Sequence, residues 1–171
     1  MSEDIVFTVN TILEALTGIT HPQASLLVNE GAIDSRQVKS GGMFIALPGE
    51  NVDGHEFVAD AFKHGALCAL IQKDVPLPFP VLDLRRRPVD TALPLPEPPF
   101  CLQVDDTLAA LQKIAAFWRQ QLDVRVIGIT GSVGKSTTKE LVTEVLSQRY
   151  PTVKNPGNLK TEIGLPLSLL Q

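Results

Sequence analysis

The sequence lacks several features that would place a protein in a membrane or in an oxidising compartment. It has only two cysteines, Cys68 and Cys101, which lie far apart in apolar surroundings. This spacing predicts buried thiols in a reducing compartment rather than a disulfide framework or a metal site. The chain also has no long apolar run and no N-terminal signal pattern. We therefore expect a soluble cytoplasmic protein that is not inserted in a membrane.

Positive charge is also scarce. The 171 residues include 15 lysines and arginines against 19 aspartates and glutamates, and the formal net charge is -4. A general attraction to nucleic acid or to an anionic membrane surface is therefore not implied. Three consecutive arginines, residues 85–87, lie in a proline-rich stretch, and we interpret them as part of a solvated loop rather than a phosphate or RNA contact. Hydrophobic residues make up 44% of the chain, which is enough for a packed core.

The rest of the chain is organised around residues 124–138, VRVIGITGSVGKSTT. Residues 124–129 are mostly apolar and rich in β-branched side chains, which predicts a buried strand. A glycine turn follows, and a helix is predicted to begin at Lys135. A glycine turn between a strand and a helix N-terminus forms a phosphate cradle, because its backbone N–H groups are unpaired and the helix dipole is positive there. Lys135 is placed to reach the outer phosphates, and the Ser136 hydroxyl to coordinate magnesium.

The glycine spacing differs from the general P-loop pattern, G-x-x-x-x-G-K-[ST]. That pattern requires glycine at position 129, where this chain has isoleucine. The alternative is a purely structural glycine turn between a core strand and a helix. The flanking segments favour a nucleotide site, because an apolar run precedes the turn and the predicted helix after it is amphipathic. Its apolar face consists of Leu141, Val142, Val145 and Leu146.

Short apolar runs alternate with helical patterns along the remaining sequence, which predicts an α/β fold. The predicted helices are residues 5–16, 56–64 and 107–122, and the predicted strands are residues 26–30, 43–47, 66–71, 100–104 and 152–154. Phe57 is among the residues expected to face inward, and Trp118 is expected to pack in the core or between domains. Residues 75–99 contain most of the prolines, and we interpret them as an irregular extension and linker.

Two domains are therefore expected. Residues 1–99 would form a small mixed-sheet N-terminal domain, of which 75–99 is the linker. Residues 100–171 would form the first part of a P-loop-type parallel α/β domain. One strand, one helix, a second short strand and the start of a helix cannot close a doubly wound sheet. We therefore expect this second domain to be truncated, with an open sheet edge and uncovered apolar helix faces.

Three segments together resemble the Mur ligases, the ATP-dependent amide ligases of bacterial peptidoglycan assembly. The first combines IDSRQVK at residues 33–39 with MFIALPGENVDGH at residues 43–55. The second is TGSVGKST at residues 130–137, whose short form is that of this family, and the third is NPGNLKTEIGLP at residues 155–166. The third segment is most similar to the branch that adds D-alanyl-D-alanine, although Lys-Thr at 160–161 stands where that branch usually has two asparagines.

The resemblance implies that the first domain holds the uridine nucleotide of the substrate. Asp34, Ser35 and Arg36 match the family's uridine-nucleotide signature, and Glu50 and Asn51 fall in a second substrate-contacting loop. The following Asp-Gly-His, residues 53–55, is expected to shape the turn rather than touch the ligand.

The resemblance also implies that the central domain binds ATP and Mg2+. Lys135 would bind the β- and γ-phosphates, Ser136 would be a magnesium ligand, and Asn158 matches the substrate-side loop, so Lys135 and Asn158 are the candidate catalytic residues. The full set of residues implied for the ATP cradle is Thr130, Gly131, Ser132, Val133, Gly134, Lys135, Ser136 and Thr137.

The implied reaction joins small molecules. ATP phosphorylates the terminal carboxylate of UDP-N-acetylmuramoyl-tripeptide, and the amine of D-alanyl-D-alanine then attacks the acyl phosphate. The full-length enzyme is expected to be a monomer without a nucleic-acid partner. The family's later acidic metal ligand, its modified lysine and its third domain have no counterpart up to residue 171. This chain alone is therefore expected to bind UDP-sugar and ATP weakly at most, without catalysing the ligation.

Three alternatives remain open from the sequence. The chain could belong to another Mur ligase, such as the enzyme that adds the third amino acid, although the Asn158 loop argues against this. It could also be a truncated, non-catalytic UDP-sugar-binding module or a regulatory remnant. A general nucleotide hydrolase fits least well, because the glycine spacing and the Asp34-Ser35-Arg36 segment are poorly matched to it.

Overall fold

A computed structural model describes residues 6–49, 52–85, 95–155 and 162–170. Its main unit contains a five-stranded sheet in the order β1-β2-β3-β5-β4, in which every ladder is parallel. The strands are β1 (Gly31–Ala32), β2 (Met43–Ile45), β3 (Cys68–Ile71), β4 (Val81–Asp83) and β5 (Phe100–Gln103). The helices are α1 (Val9–Thr17), α2 (Val58–Lys63), α3 (Thr107–Gln121), α4 (Lys135–Ser147) and α5 (Gly164–Leu169). The predicted α/β class is confirmed, and the described antiparallel pairing is limited to an isolated bridge between Thr8 and Leu27.

Alternate residues of the central strands face two separate cores. One face, with Met43, Leu70 and Phe100, packs against α1, α3 and α5. The opposite face, with Phe44 and Ile71, packs against α2 and the segment that follows β3. Because both faces are covered, these strands are continuous apolar runs in the sequence. This explains why three of them were predicted close to their observed positions.

The two cysteines are buried free thiols, as predicted. Cys68 belongs to the core on the α1 and α3 side of the sheet, and Cys101 to the core on the α2 side. Burial raises the pKa of the Cys68 thiol to about 12 and that of the Cys101 thiol to about 11. Neither thiol is therefore ionised or reactive at neutral pH.

Local capping fixes the ends of the helices on the first face. Thr8 caps α1 by accepting a hydrogen bond from the Thr11 amide at 3.3 Å, and Gly18 ends the helix in the left-handed conformation. Asp106 caps α3 by accepting a bond from the Ala109 amide at 2.9 Å. On α3, Trp118 packs against the Phe7 ring with their centroids 5.1 Å apart, which confirms the predicted packing role.

Several predicted element positions are wrong. Residues 26–30 form no strand, and the first strand begins at Gly31. Phe57 is exposed rather than inward-facing, because it ends a 3-10 turn, Gly54–Phe57, before the α-helical face of α2 begins. The proline-rich linker contains β4, which lies at the edge of the sheet, where proline nearby is tolerated. Residues 86–94, including two of the three arginines, lie outside the described residues.

The predicted domain boundary after residue 99 divides elements that pack together. Strand β5 lies between β3 and β4 in the first sheet, and α3 packs on the same core as α1. Residues 100–121 therefore belong structurally to the first unit. The sequence pattern placed the boundary too early because it contains a proline-rich stretch, which is normally typical of a linker. Here that stretch lies inside the unit and leads into one of its strands.

The segment around the glycine turn is largely unpacked in this chain. Residues 124–129 form no strand and are mostly exposed, and residues 152–154 form no strand either. Helix α4 begins at Lys135 as predicted, but none of its residues is buried. A strand requires at least one neighbouring strand, and the described residues supply none for 124–129. The expected uncovered apolar helix face is therefore observed.

Across the described ranges, no helix combines the length and the apolar character required to cross a membrane.

Candidate substrate and nucleotide site

The carboxyl ends of all five strands meet at one edge of the sheet, because the strands are parallel. This is the edge at which open α/β sheets bind ligands. Residues 34–36 follow β1 at this edge, and residues 46–55 follow β2. Asp34, Ser35 and Arg36 are therefore brought to the same edge as the second predicted loop. Glu50 and Asn51 lie outside the described residues.

The Asp34 carboxylate organises a short turn after β1. It accepts a hydrogen bond from the Arg36 amide at 3.1 Å and a bidentate pair from the Arg36 guanidinium, from Nε at 2.9 Å and from Nη2 at 2.7 Å. Ser35 is buried and donates to Asp60 Oδ2 of α2 at 3.0 Å. The Arg36 side chain is 81% exposed. Ser35 thus anchors the turn, while Asp34 and Arg36 present an ion pair to solvent at the ligand-binding edge.

The Arg36 guanidinium beside Asp34 lowers the pKa of that carboxyl group to about 2, and the Arg36 amide adds to this effect. Because the folded-state pKa is depressed, the ion pair favours the folded turn at pH values above the ordinary carboxyl pKa and is lost as the pH falls through about 2. In the Arg36→Ala variant we expect the Asp34 titration midpoint to rise toward the ordinary value of about 3.9. Carbon-detected NMR titration of the aspartate carboxyl groups measures this midpoint. An unchanged midpoint in the variant would contradict the assignment of the guanidinium as the main cause.

The predicted turn-shaping role of Asp53 and His55 is supported by their contacts. The Gln72 amide donates to His55 Nε2 at 3.0 Å, so His55 Nδ1 carries the ring proton and faces Asp53 Oδ1 at 2.6 Å. Asp53 also accepts from the His55 amide at 2.9 Å and pairs with Lys73. The Lys73 ammonium, the His55 amide and the His55 ring hold the pKa of Asp53 well below its ordinary range. His55 is buried, and both of its ring nitrogens are used to hold the loop.

Sequence reasoning missed a buried hydrogen-bond hub formed by Gln72 and Thr107. The Gln72 Oε1 atom lies 3.0 Å from the Thr107 amide and 2.8 Å from the Thr107 hydroxyl. The same hydroxyl lies 3.0 Å from the Ala46 carbonyl oxygen. This hub joins the ends of β2 and β3 to the first residue of α3. No sequence signal pointed to it, because a glutamine and a threonine separated by 35 positions match no motif.

The end of β4 carries a second carboxylate–guanidinium pair. Arg85 is the described member of the three-arginine run, and Asp83 binds its Nε at 2.9 Å and its Nη2 at 2.8 Å. Asp83 is the main cause that raises the Arg85 pKa, and Asp74 and Asp105 add to it.

The glycine turn before α4 has the backbone of an anion cradle. Gly131 has φ 149° and Gly134 has φ 80°, conformations that residues with a Cβ rarely adopt. Gly134 is the N-cap of α4, and no side chain caps this helix, in contrast to Thr8 on α1 and Asp106 on α3. The N-cap residue Gly134 therefore offers no side-chain acceptor to the first turn of α4, and a helix N-terminus is a position at which a bound phosphate is favoured.

The predicted cradle residues lie together around this turn. The Lys135 ammonium folds back onto the Gly131 carbonyl oxygen, so the cationic group lies over the turn. Thr130, Ser132 and Thr137 are exposed, and Val133 is almost fully exposed. Ser136 is the second residue of α4. The ranges that the structure describes contain no cluster of three or more His, Cys, Asp or Glu side chains that could hold a metal ion. Asn158 lies outside those ranges.

A parallel α/β unit with polar loops at its carboxyl edge, followed by a glycine turn that begins a helix, is typical of nucleotide-binding proteins of the α/β class. The chain belongs to the Mur ligase family. The model of the Mur ligase family, catalytic domain, matches residues 29–119, and the model of the Mur ligase middle domain matches residues 129–171.

Comparisons with individual proteins show which members of the family the chain is similar to. The chain is 39% identical to the UDP-N-acetylmuramoyl-tripeptide–D-alanyl-D-alanine ligase of Synechocystis over 97% of this chain and 33% of that relative. It is similar to the crystal structure of MurF from Acinetobacter baumannii, with a TM-score of 0.70 and 30% identity, covering 96% of this chain and 33% of that one. It is also similar to MurF ligase from Thermotoga maritima in complex with ADP, with a TM-score of 0.62 and 28% identity, covering 92% and 30%. The chain thus spans about a third of the length of these proteins.

Proposed function

We propose that this chain is the substrate-binding domain and the first part of the ATP-binding domain of a ligase that joins D-alanyl-D-alanine to UDP-N-acetylmuramoyl-tripeptide. The observation that carries this proposal is the 39% identity to a ligase of that name over 97% of the chain. The two family models, which match residues 29–119 and 129–171, support a division of the chain into two domains. We place the domain boundary after Leu122 rather than after residue 99.

The first unit would hold the uridine nucleotide at the carboxyl edge of its sheet. Arg36 would contact the diphosphate after exchanging its pairing with Asp34, and Ser35 would keep the turn fixed to α2 through Asp60. Glu50 and Asn51 would contact the substrate from the next loop, whose base is held by His55.

The second unit would bind ATP at the turn before α4. The two glycines with positive φ let the backbone curl around a polyphosphate at the N-terminus of α4, and the Lys135 ammonium already lies over the turn. The Ser136 hydroxyl is a hard oxygen ligand of the kind that Mg2+ prefers, so Ser136 would be the contribution of this chain to a magnesium site. When bound, Mg2+ supplies electrostatic stabilisation for the phosphoryl group during its transfer.

The proposed reaction has two steps. An oxygen of the tripeptide carboxylate attacks the γ-phosphorus of ATP and ADP leaves, which gives an acyl phosphate. The amine nitrogen of D-alanyl-D-alanine then attacks the acyl carbon, and inorganic phosphate and a proton are released. Lys135 would stabilise the negative charge on the transferred group, and Asn158 would position the substrate side of the site. These reactants are small soluble molecules, which supports a cytoplasmic enzyme, and we propose that the full-length enzyme is a monomer.

A chimera tests this function directly. Residues 1–171 would replace the corresponding third of the Synechocystis relative, so that the remaining catalytic residues are supplied by that protein. We expect release of phosphate from ATP only when UDP-N-acetylmuramoyl-tripeptide and D-alanyl-D-alanine are both present. The unmodified relative is the positive control.

Two outcomes would redirect the assignment. A chimera that binds the UDP substrate but does not turn over would favour the non-catalytic binding module. Turnover with UDP-N-acetylmuramoyl-dipeptide and a free amino acid, in place of the tripeptide and D-alanyl-D-alanine, would favour the ligase that adds the third residue.

A further inference from the structure

We propose that α5 is a strut that ties the polypeptide after the ATP cradle to strand β1, with Gly31 and Leu170 as the positioning residues of this contact. The functional consequence rests on the proposed ligase function, whereas the contact itself does not. Helix α5 follows the loop that contains Asn158, and β1 leads within two residues to Asp34. The strut would therefore set the position of the substrate-side loop relative to the uridine-side turn.

A direct hydrogen bond joins the two segments. The Gly31 amide donates to the Leu170 carbonyl oxygen at 2.9 Å. Because β1 is an edge strand, this bond satisfies a backbone donor at the edge of the sheet. Before the start of α5, the Glu162 carbonyl oxygen accepts a hydrogen bond from Nε2 of Gln112 on α3 at 3.2 Å. The beginning of the α5 segment is thus bonded to α3 and its end to β1.

Apolar packing reinforces this contact. Leu167 and Leu170 are 5% and 4% exposed and belong to the main core of the first unit, whereas Leu165, on the same helix, is 61% exposed. A Cβ added at Gly31 would stand 3.3 Å from both Cβ and Cδ1 of Leu170 and 3.4 Å from Cδ1 of Ile45. A side chain at position 31 would therefore require Leu170 or Ile45 to shift, by at least a few tenths of an ångström.

The strut also restrains the cradle helix. Helix α4 buries none of its own residues, but its Lys139 ammonium donates to the Asn155 carbonyl oxygen at 2.9 Å. Only six residues separate Asn155 from Glu162, where the α5 segment is fixed to α3. Such a segment spans at most about 25 Å when fully extended. The α5 contact therefore limits how far α4 can separate from the first unit.

Hydrogen exchange on this chain tests the strut without reference to catalysis. We expect the α5 amides to exchange at least about tenfold faster in Gly31→Val and in Leu170→Ala than in the unmodified chain, since each change weakens the docked state. The α5 amides of the double variant should exchange no faster than those of the more affected single variant, because both changes act on the same contact. Leu165→Ala is the matched control and should leave the exchange unchanged. Unprotected α5 amides in the unmodified chain, or rates that neither variant alters, would overturn the proposal.

The chimera tests the consequence for function. For Leu170→Ala, which leaves the strand residues intact, we expect a tenfold or larger loss of kcat with the Kd values of UDP-N-acetylmuramoyl-tripeptide and ATP unchanged within a factor of two. A purely structural role would instead weaken binding or leave kcat unaltered, and either result would refute the positioning role. If the unsubstituted chimera itself lacks turnover, the proposed function fails. The hydrogen-exchange experiment still tests whether α5 is docked on β1.

Discussion

Replacing Lys135 with alanine is expected to lower the affinity of this chain for ATP at least tenfold. The Lys135 ammonium is held over the glycine turn by the Gly131 carbonyl oxygen, so it lies where the outer phosphates would bind. A hydrogen bond to a charged group contributes about 1.5–3 kcal/mol, and about 1.4 kcal/mol corresponds to a tenfold change in Kd. Titration with a fluorescent ATP analogue at constant ionic strength measures this change in affinity.

Two control variants distinguish the loss of a local contact at Lys135 from a change in the net charge of the protein. Lys63→Ala removes the same charge from the exposed end of α2 in the first unit, and it should leave the ATP affinity unchanged. Lys135→Arg keeps the charge but changes its geometry, and we expect it to retain part of the affinity. An ATP affinity that is equal in Lys135→Ala and in the unmodified chain would remove the basis for the cradle assignment.

The sequence pattern predicted the parts of the fold that depend on local burial. Residues 43–47 and 66–71 are apolar without interruption, and both contain strands with two covered faces. The pattern also placed the start of α4 at Lys135 correctly, because the glycine turn limits where that helix can begin. The family resemblance implied a uridine-nucleotide role for Asp34, Ser35 and Arg36, and this role stays a prediction. The structure adds that they follow β1 at the carboxyl edge of the sheet.

The features that sequence reasoning missed depend on pairing over long distances. Residues 124–129 have the composition of a strand, but composition cannot supply the neighbouring strands that such a segment requires. Strand β4 lies within a proline-rich stretch, and it forms by pairing in parallel with β5. The Gln72–Thr107 hub joins residues whose proximity follows only from the order of strands in the sheet.

Replacing Gly54 with alanine is expected to destabilise the first unit and displace the loop that contains Glu50 and Asn51. A Cβ at position 54 would stand 2.7 Å from the Leu47 carbonyl oxygen, 2.8 Å from the Leu47 amide nitrogen and 3.1 Å from the Ala46 Cα. These are backbone atoms at the end of β2, and the Thr107 hydroxyl holds the Ala46 carbonyl in place, so they cannot move aside cheaply. We expect a loss of about 1–3 kcal/mol in the free energy of unfolding, as for other overpacked sites.

Urea unfolding followed by the fluorescence of the single tryptophan, Trp118, measures this loss, because Trp118 packs on Phe7 in the first unit. Gly128→Ala is the matched control, since a Cβ there meets no atom within 4 Å, and it should leave the unfolding midpoint unchanged. Gly54→Ala should also weaken binding of the UDP substrate. The loop that contains Glu50 and Asn51 ends next to Gly54, where the Gln72 amide donates to the ring of His55. If neither the stability nor the affinity changes, the backbone after β2 can shift to accommodate a side chain at position 54. The close approach of Gly54 to Leu47 would then not be what fixes the loop.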